Sequence, residues 1–283
     1  MSNPRSAARP DTVRGATVTL DLPEGSLELQ VHIPGEPERL IDFALKTLPL
    51  SDAVADMAGQ EAERLGFSIS CTKGCGACCR QLVPLSPPEA GMMYEYVHNL
   101  PKSQHVRIVQ RFRMALEHLD RDGFLNTLRD TSPAPGTDET ARNMAREYFS
   151  RSIPCPFLED EACSIYELRP SMCREYLVTS PPELCRTPYE AQVRRLPLSI
   201  RLSEALARTW ASCAGRQVQV IPSILALQWT EENPGIRGLK APGQELLINV
   251  LGHLSELVQS RSAEEAPSRS PDLLPPGPGD SPT

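Results

Sequence analysis

The chain has 283 residues, of which 40% are hydrophobic, enough for one large or two smaller domains with a real core. Its formal net charge of −7 argues against a general nucleic-acid binder, which would show a basic balance or a basic stripe. No run reaches the ~20 apolar residues of a membrane helix, and Arg5, Arg9 and Arg14 precede no apolar stretch of a secretory signal, so a soluble cytoplasmic protein is expected.

Residues 1–14 are polar and read as a flexible N-terminal tail. Next comes period-2 alternation: Val18, Leu20 and Leu22, then Leu27, Leu29, Val31 and Ile33, separated by Pro23-Glu24-Gly25-Ser26. This predicts a β-hairpin with one buried face. A lone hairpin is marginal in water, so it should pack on the core or pair with a strand, for which residues 67–70 and 218–221 are the candidates.

Two helices are expected over residues 38–46 and 51–65. Ser86-Pro87-Pro88-Glu89 then opens a helix to about Leu100, with Ser86 as cap, Pro87 at the first helical position and Glu89 completing a capping box. A further helix over residues 102–120 carries a stripe of Val106, Val109, Phe112, Leu116 and Leu119. Residues 131–137 read as a loop and 138–151 as helix. Helices are also expected over 200–213, 222–232 and 244–260, the last with Leu247, Val250, Leu251, Leu254 and Leu257 on one face. From Arg261 the Pro-rich composition predicts a disordered tail. The fold class expected is therefore mainly α with a small N-terminal β-hairpin: one helical domain over residues 15–260, with irregular, metal-organised loops at its centre.

Chemistry is specified by cysteine spacing. Of nine cysteines, Cys71, Cys75, Cys78 and Cys79 form one tight group, and Cys155, Cys163, Cys173 and Cys185 a second. In a reducing compartment such groups read as metal ligands rather than as four disulfides. Thiolates suit zinc or an iron–sulfur cluster. Short spacings let several sulfurs converge at little entropic cost, and Gly74 and Gly76 allow the backbone to approach them closely. Eight thiols can make one centre or two, and the adjacent Cys78 and Cys79 leave that choice open. The spacing of Cys71, Cys75 and Cys78 also matches the signature of radical enzymes that use S-adenosylmethionine, but the strand–helix alternation of their barrel is missing.

Both cysteine groups, with Cys155-Pro156-Phe157-Leu158, Cys163-Ser164-Ile165-Tyr166 and Arg169-Pro170-Ser171-Met172-Cys173-Arg174 in order, resemble the YkgJ-type cysteine-cluster family of candidate zinc- or iron-chelating proteins. The resemblance spans roughly residues 71–185. It implies eight ligand-type cysteines. The cluster is also similar to that of bacterial flagellin lysine N-methylases, which for them implies an iron–sulfur centre and a methyl donor. The functional expectation is a metal-binding protein holding an iron–sulfur cluster or zinc. An iron–sulfur-dependent protein-modifying enzyme and a structural zinc domain that meets a protein partner are the alternatives.

Lys73, Arg80, Arg169, Arg174 and Arg186 flank the cysteines and could offset thiolate charge or be solvated. Cys185 follows a second Ser-Pro-Pro-Glu at Ser180, which reads as coincidence of common capping chemistry more readily than as a paired device. Cys213 fits an apolar helix stripe as a small hydrophobe, Tyr166 and Tyr176 read as core aromatics, and Glu159-Asp160-Glu161 as a solvated loop. His32, His98, His105, His118 and His253 lie outside ligand spacing of any cysteine.

Overall fold

The computed structural model describes residues 14–33, 35–130 and 139–265. The predicted N-terminal tail up to residue 13, the loop at 131–137 and the end of the Pro-rich tail lie outside them. Strands β1 (Arg14–Leu22) and β2 (Gly25–Ile33) form the expected antiparallel hairpin, with Leu20 opposite Leu27 and Val18 opposite Leu29. Neither expected strand partner joins it. Residues 67–70 form no strand; instead Leu20, Leu22, Leu27 and Leu29 pack through side chains on the main core, beside Phe67, Ile69 and Val218.

A short strand β3 (Pro37–Arg39) leads into α1 (Leu40–Arg64). Here one continuous helix replaces the two expected, running through Pro49. A proline inside a helix removes one backbone bond. The freed carbonyl is that of Leu45, and Leu45 and Pro49 both face outward where water can satisfy it. Leu48 and Leu50 on the other side are buried and hold the helix down.

After the first cysteine group come β4 (Pro84–Leu85), α2 (Pro87–His98) and α3 (Lys102–Arg121). The capping box at the start of α2 forms as predicted, with reciprocal Ser86 and Glu89 bonds. On α3 the buried stripe is Ile108, Phe112, Ala115 and Leu119, shifted from the expected one; Val106 is 54% exposed. A helix unmarked in the sequence, α4 (Phe124–Asp130), follows. Then come α5 (Glu139–Ser150), the minimal hairpin β5 (Leu158–Glu159) and β6 (Ala162–Cys163), and the short α6 (Ser171–Glu175). The chain closes with α7 (Leu202–Ala214), β7 (Ile221–Pro222), α8 (Ala226–Glu232), β8 (Lys240–Pro242) and α9 (Gly243–Glu265).

The sheets are two-stranded: β3 pairs β8, β4 pairs β7 and β5 pairs β6, all antiparallel. Two apolar cores result. One gathers α1, α7 and α9 around residues such as Leu40, Leu206 and Leu254. The other gathers α2 to α5 with residues 221–227 around Leu119, Leu128 and Phe157. The two cores meet where α1 packs on α2 through Ile41, Leu48 and Met92, and α6 lies beside that contact against α1, α7 and β4. Among the described residues no helix is long and apolar enough to cross a membrane.

Candidate metal centre

Residues 71–81 descend in successive tight turns. The Cys75 N–H donates to Thr72 O (3.1 Å), Cys79 N–H to Gly76 O (3.0 Å) and Gln81 N–H to Cys78 O (3.0 Å). Gly74 takes φ +97°, a region that side-chain-bearing residues rarely occupy. Gly76 serves differently. A Cβ there would meet the carbonyl oxygen of Glu161, lie 2.8 Å from its carbonyl carbon and 2.6 Å from Leu158 Cδ1. Only glycine lets the second segment close on the first.

That second segment is stitched to the first by the Cys155 N–H, which donates to Cys79 O at 2.7 Å. Asp160 and Glu161 form the two-residue turn of β5–β6, at φ +49° and +59°, the sign that type I′ turns require. Glu159 and Glu161 are paired, while Asp160 is exposed. Arg80 donates to both Glu161 oxygens (3.1 and 2.6 Å), while Arg107 and Arg111 reach Glu159 at 3.2 and 2.8 Å.

Cys173 rides on α6, and two buried carboxylates anchor that helix. Glu89 accepts from Ser86 N–H (3.0 Å), Ser86 Oγ (2.8 Å) and, across the molecule, Ser171 N–H (2.7 Å). Glu175 accepts from Ser203 N–H (3.0 Å) and Oγ (2.6 Å) at the start of α7. Arg174 pairs with Asp52 of α1 and donates to Arg169 O at 2.8 Å. Arg174 is thus a structural tie, not a counter-charge aimed at the thiols. Sequence reasoning found Glu89 as a capping residue; its second partner, Ser171, lies 82 positions away and leaves no local signal.

The eight cysteines converge in two sets. Cys71, Cys75 and Cys78 pack around buried Ala77, Val178 and Cys185. Cys155 and Cys163 lie against the second apolar core. Cys78 belongs to both neighbourhoods. Its sulfur lies within electrostatic reach of Cys71 and Cys185 on one side and of Cys155, Cys163 and Cys173 on the other. It also donates a hydrogen bond to the Cys79 sulfur, which with burial pushes the Cys78 thiol far above its ordinary range.

Burial holds most of the other thiols protonated. It raises Cys71 and Cys163, pushes Cys185 up to about 11 and Cys155 up to about 12, and raises Cys173 strongly. Opposing bonds come from the backbone at Val178 for Cys71, Phe157 for Cys155 and Ile165 for Cys163, and from the Tyr176 hydroxyl for Cys185. Tyr176 is half-buried and itself accepts from Gln81 Nε2 at 3.2 Å, so it serves the site rather than the core.

Among the flanking cations, Arg169 acts on the thiols, favouring the charged forms of Cys71, Cys78, Cys163 and Cys173 from its seat over the Tyr166 ring, 3.7 Å away. Lys73 pairs with Glu167 at 2.6 Å, and Arg186 stands 3.8 Å from Glu161. Cys185 lies in a 3₁₀ turn, Pro182–Arg186, with no side-chain cap, and the Ser180 hydroxyl accepts from Arg194 N–H at 3.1 Å. The recurrence of Ser-Pro-Pro-Glu is therefore not a repeated capping device. Cys213 lies apart, half-buried against the first core and accepting from Asn249 Nδ2 at 3.7 Å.

Among the described residues no three His, Cys, Asp or Glu side chains already stand in coordinating geometry. The donor set nonetheless fits a soft metal. It is all sulfur, largely shielded from water, and faced by a guanidinium that offsets the negative charge of a thiolate centre. Residues 70–193 match the model of the CxxCxxCC family, whose description reads "Putative zinc- or iron-chelating domain". No curated protein and no solved structure matches the chain. The matched segment encloses all eight grouped cysteines and leaves out Cys213, so the similarity to this family is carried by the segment that holds the cysteine centre.

Proposed function

We propose that this protein binds zinc or iron in two adjoining four-thiol sites. Cys71, Cys75 and Cys185 supply three ligands of one, and Cys155, Cys163 and Cys173 three of the other. The adjacent Cys78 and Cys79 complete them, one each. The observation that carries this reading is the position of Cys78, within reach of both sets and hydrogen-bonded to Cys79.

The two neighbouring sulfurs can each turn to one of two adjoining metals, so one peptide unit can serve both. Zinc at these positions would fix the loops; iron would add electron-transfer capacity. The chain's own contribution is to gather the thiols, shield them and set Arg169 beside them. Glu89, Arg174 and Glu175 hold the helix that carries Cys173.

Metal and acid-labile sulfide analysis of anaerobically purified protein tests the proposal. Two metals per chain are expected without sulfide if zinc, or iron with sulfide if a cluster forms. Cys78→Ser should lower the metal content from two metals per chain toward one, Cys79→Ser should do the same for the other site, and Cys213→Ser should leave it unchanged. Metal content unaffected by Cys78→Ser would refute the assignment of Cys78 as a ligand.

A further inference from the structure

We infer that an acidic peptide docks in extended form against the chain segment at Arg194 and Arg195, one extended segment away from Cys71. The backbone carries the first part of the argument. Residues 177–179 and 194–196 run antiparallel, joined by Thr179 N–H to Arg194 O (2.9 Å) and Leu196 N–H to Leu177 O (2.8 Å). This pattern turns the N–H and C=O of the bridged pair, Val178 and Arg195, outward on opposite sides. On the Val178 side they are used: its carbonyl accepts from Ser70 N–H at 2.9 Å and its N–H meets the Cys71 sulfur. On the Arg195 side the edge opens onto solvent, since Arg195 is exposed. An open edge of this kind is what an extended peptide pairs with by strand addition.

Charge identifies the occupant. Arg194 sits over the Phe67 ring (4.7 Å) and Arg195 over the Tyr176 ring (4.8 Å). Among the described residues neither is joined to a carboxylate, although Glu183 and Glu190 stand in nearby turns. Arg146 lies close by, over Tyr189 at 5.5 Å. In a chain of net charge −7, these are concentrated and uncompensated positive charges. Arg195 also bonds the Tyr176 hydroxyl, and the remaining N–H groups of each stacked guanidinium can meet a carboxylate in two-point fashion.

The same two arginines line a groove of about 820 Å³ together with Pro181, Leu184, Pro188 and Val193. Those four side chains set apolar patches in an otherwise polar, basic lining, so the ligand alternates carboxylates with apolar side chains, as an extended acidic strand does. The inference rests on the protein surface alone and holds whichever metal the thiols take.

The test is fluorescence anisotropy of full-length protein with a short labelled peptide alternating valine and glutamate. Its glutamine counterpart, a backbone N-methylated version and inorganic phosphate are the comparisons. Binding should be lost with glutamine, and should weaken roughly tenfold or more in Arg194→Glu/Arg195→Glu, given two surface charge contacts of ordinary strength. The N-methylated peptide, unable to donate main-chain bonds, should also bind at least about tenfold more weakly. Circular dichroism and metal content of each variant are measured alongside; Arg194→Gln/Arg195→Gln substitutes if the charge reversal unfolds. Equal binding of the glutamine or N-methylated peptide, or an unaffected arginine variant, overturns the inference. So does displacement by phosphate at concentrations like those of the peptide, which would mark a small-anion site.

Discussion

Gly76→Ala isolates the contact that brings the two cysteine groups together. The added Cβ would lie 2.8 Å from the Glu161 carbonyl carbon and 2.6 Å from Leu158 Cδ1, about 0.7–0.9 Å inside the ~3.5 Å at which carbon atoms meet comfortably. Leu158 can shift its side chain. The Glu161 backbone cannot do so easily, because it belongs to a two-residue turn with two left-handed residues that joins the paired strands β5 and β6. Either β5–β6, with Cys163, or the loop of Cys75 and Cys78 must move. Overpacking of this kind costs about 1–3 kcal/mol, and misplacing thiols by most of an ångström loses metal affinity as well. Urea unfolding of the metal-free protein and competition with a chromophoric zinc chelator measure the two effects. Gly74→Ala is the control, since nothing lies within 4 Å of its added Cβ and only its φ of +97° is strained. Gly76→Ala should be the more damaging to affinity, by about tenfold or more for each ~1.4 kcal/mol transmitted to the thiols. A Gly76→Ala protein with wild-type stability and affinity would refute the packing argument.

Other outcomes follow from the same structure. Burial lifts Cys155 to about 12 and Cys185 to about 11, above the ~8.5 of a thiol in an unfolded chain. The metal-free fold therefore keeps its full stability below that value. As pH rises through the folded values the unfolded chain gives up protons that the fold retains, and stability falls. The urea midpoint of the metal-free protein should drop between pH 9 and 11, while uptake of metal at neutral pH should release protons into an unbuffered solution. Glu89→Gln leaves one of three buried donors facing an amide N–H, at a cost of about 1–3 kcal/mol. In a chain of this size that lowers Tm by about 2–4 °C per kcal/mol in a thermal scan, and an unchanged Tm would show the Ser171 bond to be dispensable. Arg174→Ala should destabilise through lost ties to Asp52 and the 167–169 carbonyls, while leaving the number of bound metals unchanged in metal analysis.

Periodic and punctuated signals made much of the fold legible. Alternation over residues 18–33 gave the hairpin, and Ser86-Pro87-Pro88-Glu89 gave the start of α2 to the residue. The expected break between residues 46 and 51 is missing because the helix runs through Pro49, whose freed carbonyl faces water. The α3 stripe was offset because Val106 scores as apolar but lies beyond the edge of the contact with α4 and the residues near 224. At the centre, the identity of the eight thiols was visible in their spacing. Their grouping was not, since Cys185 joins Cys71 only through the packing of residues 176–178. Gly76 was marked for backbone approach to sulfur, but the approach that needs it is to the turn at Glu161. Pairing of Glu89 with Ser171 and Glu175 with Ser203 depends on tertiary closure alone.

The five residues of α6 also bear on how the molecule comes apart. Cys173 is followed directly by Arg174, tied to α1, and Glu175, tied to α7, while Ser171 is tied to α2. Elements of both apolar cores therefore converge on one short helix that could not persist alone in water. While it is held, heating should melt both halves in a single sharp transition. Once it is released, the transition should move to lower temperature yet stay single, because α1 and α2 remain packed on each other through Ile41, Leu48 and Met92.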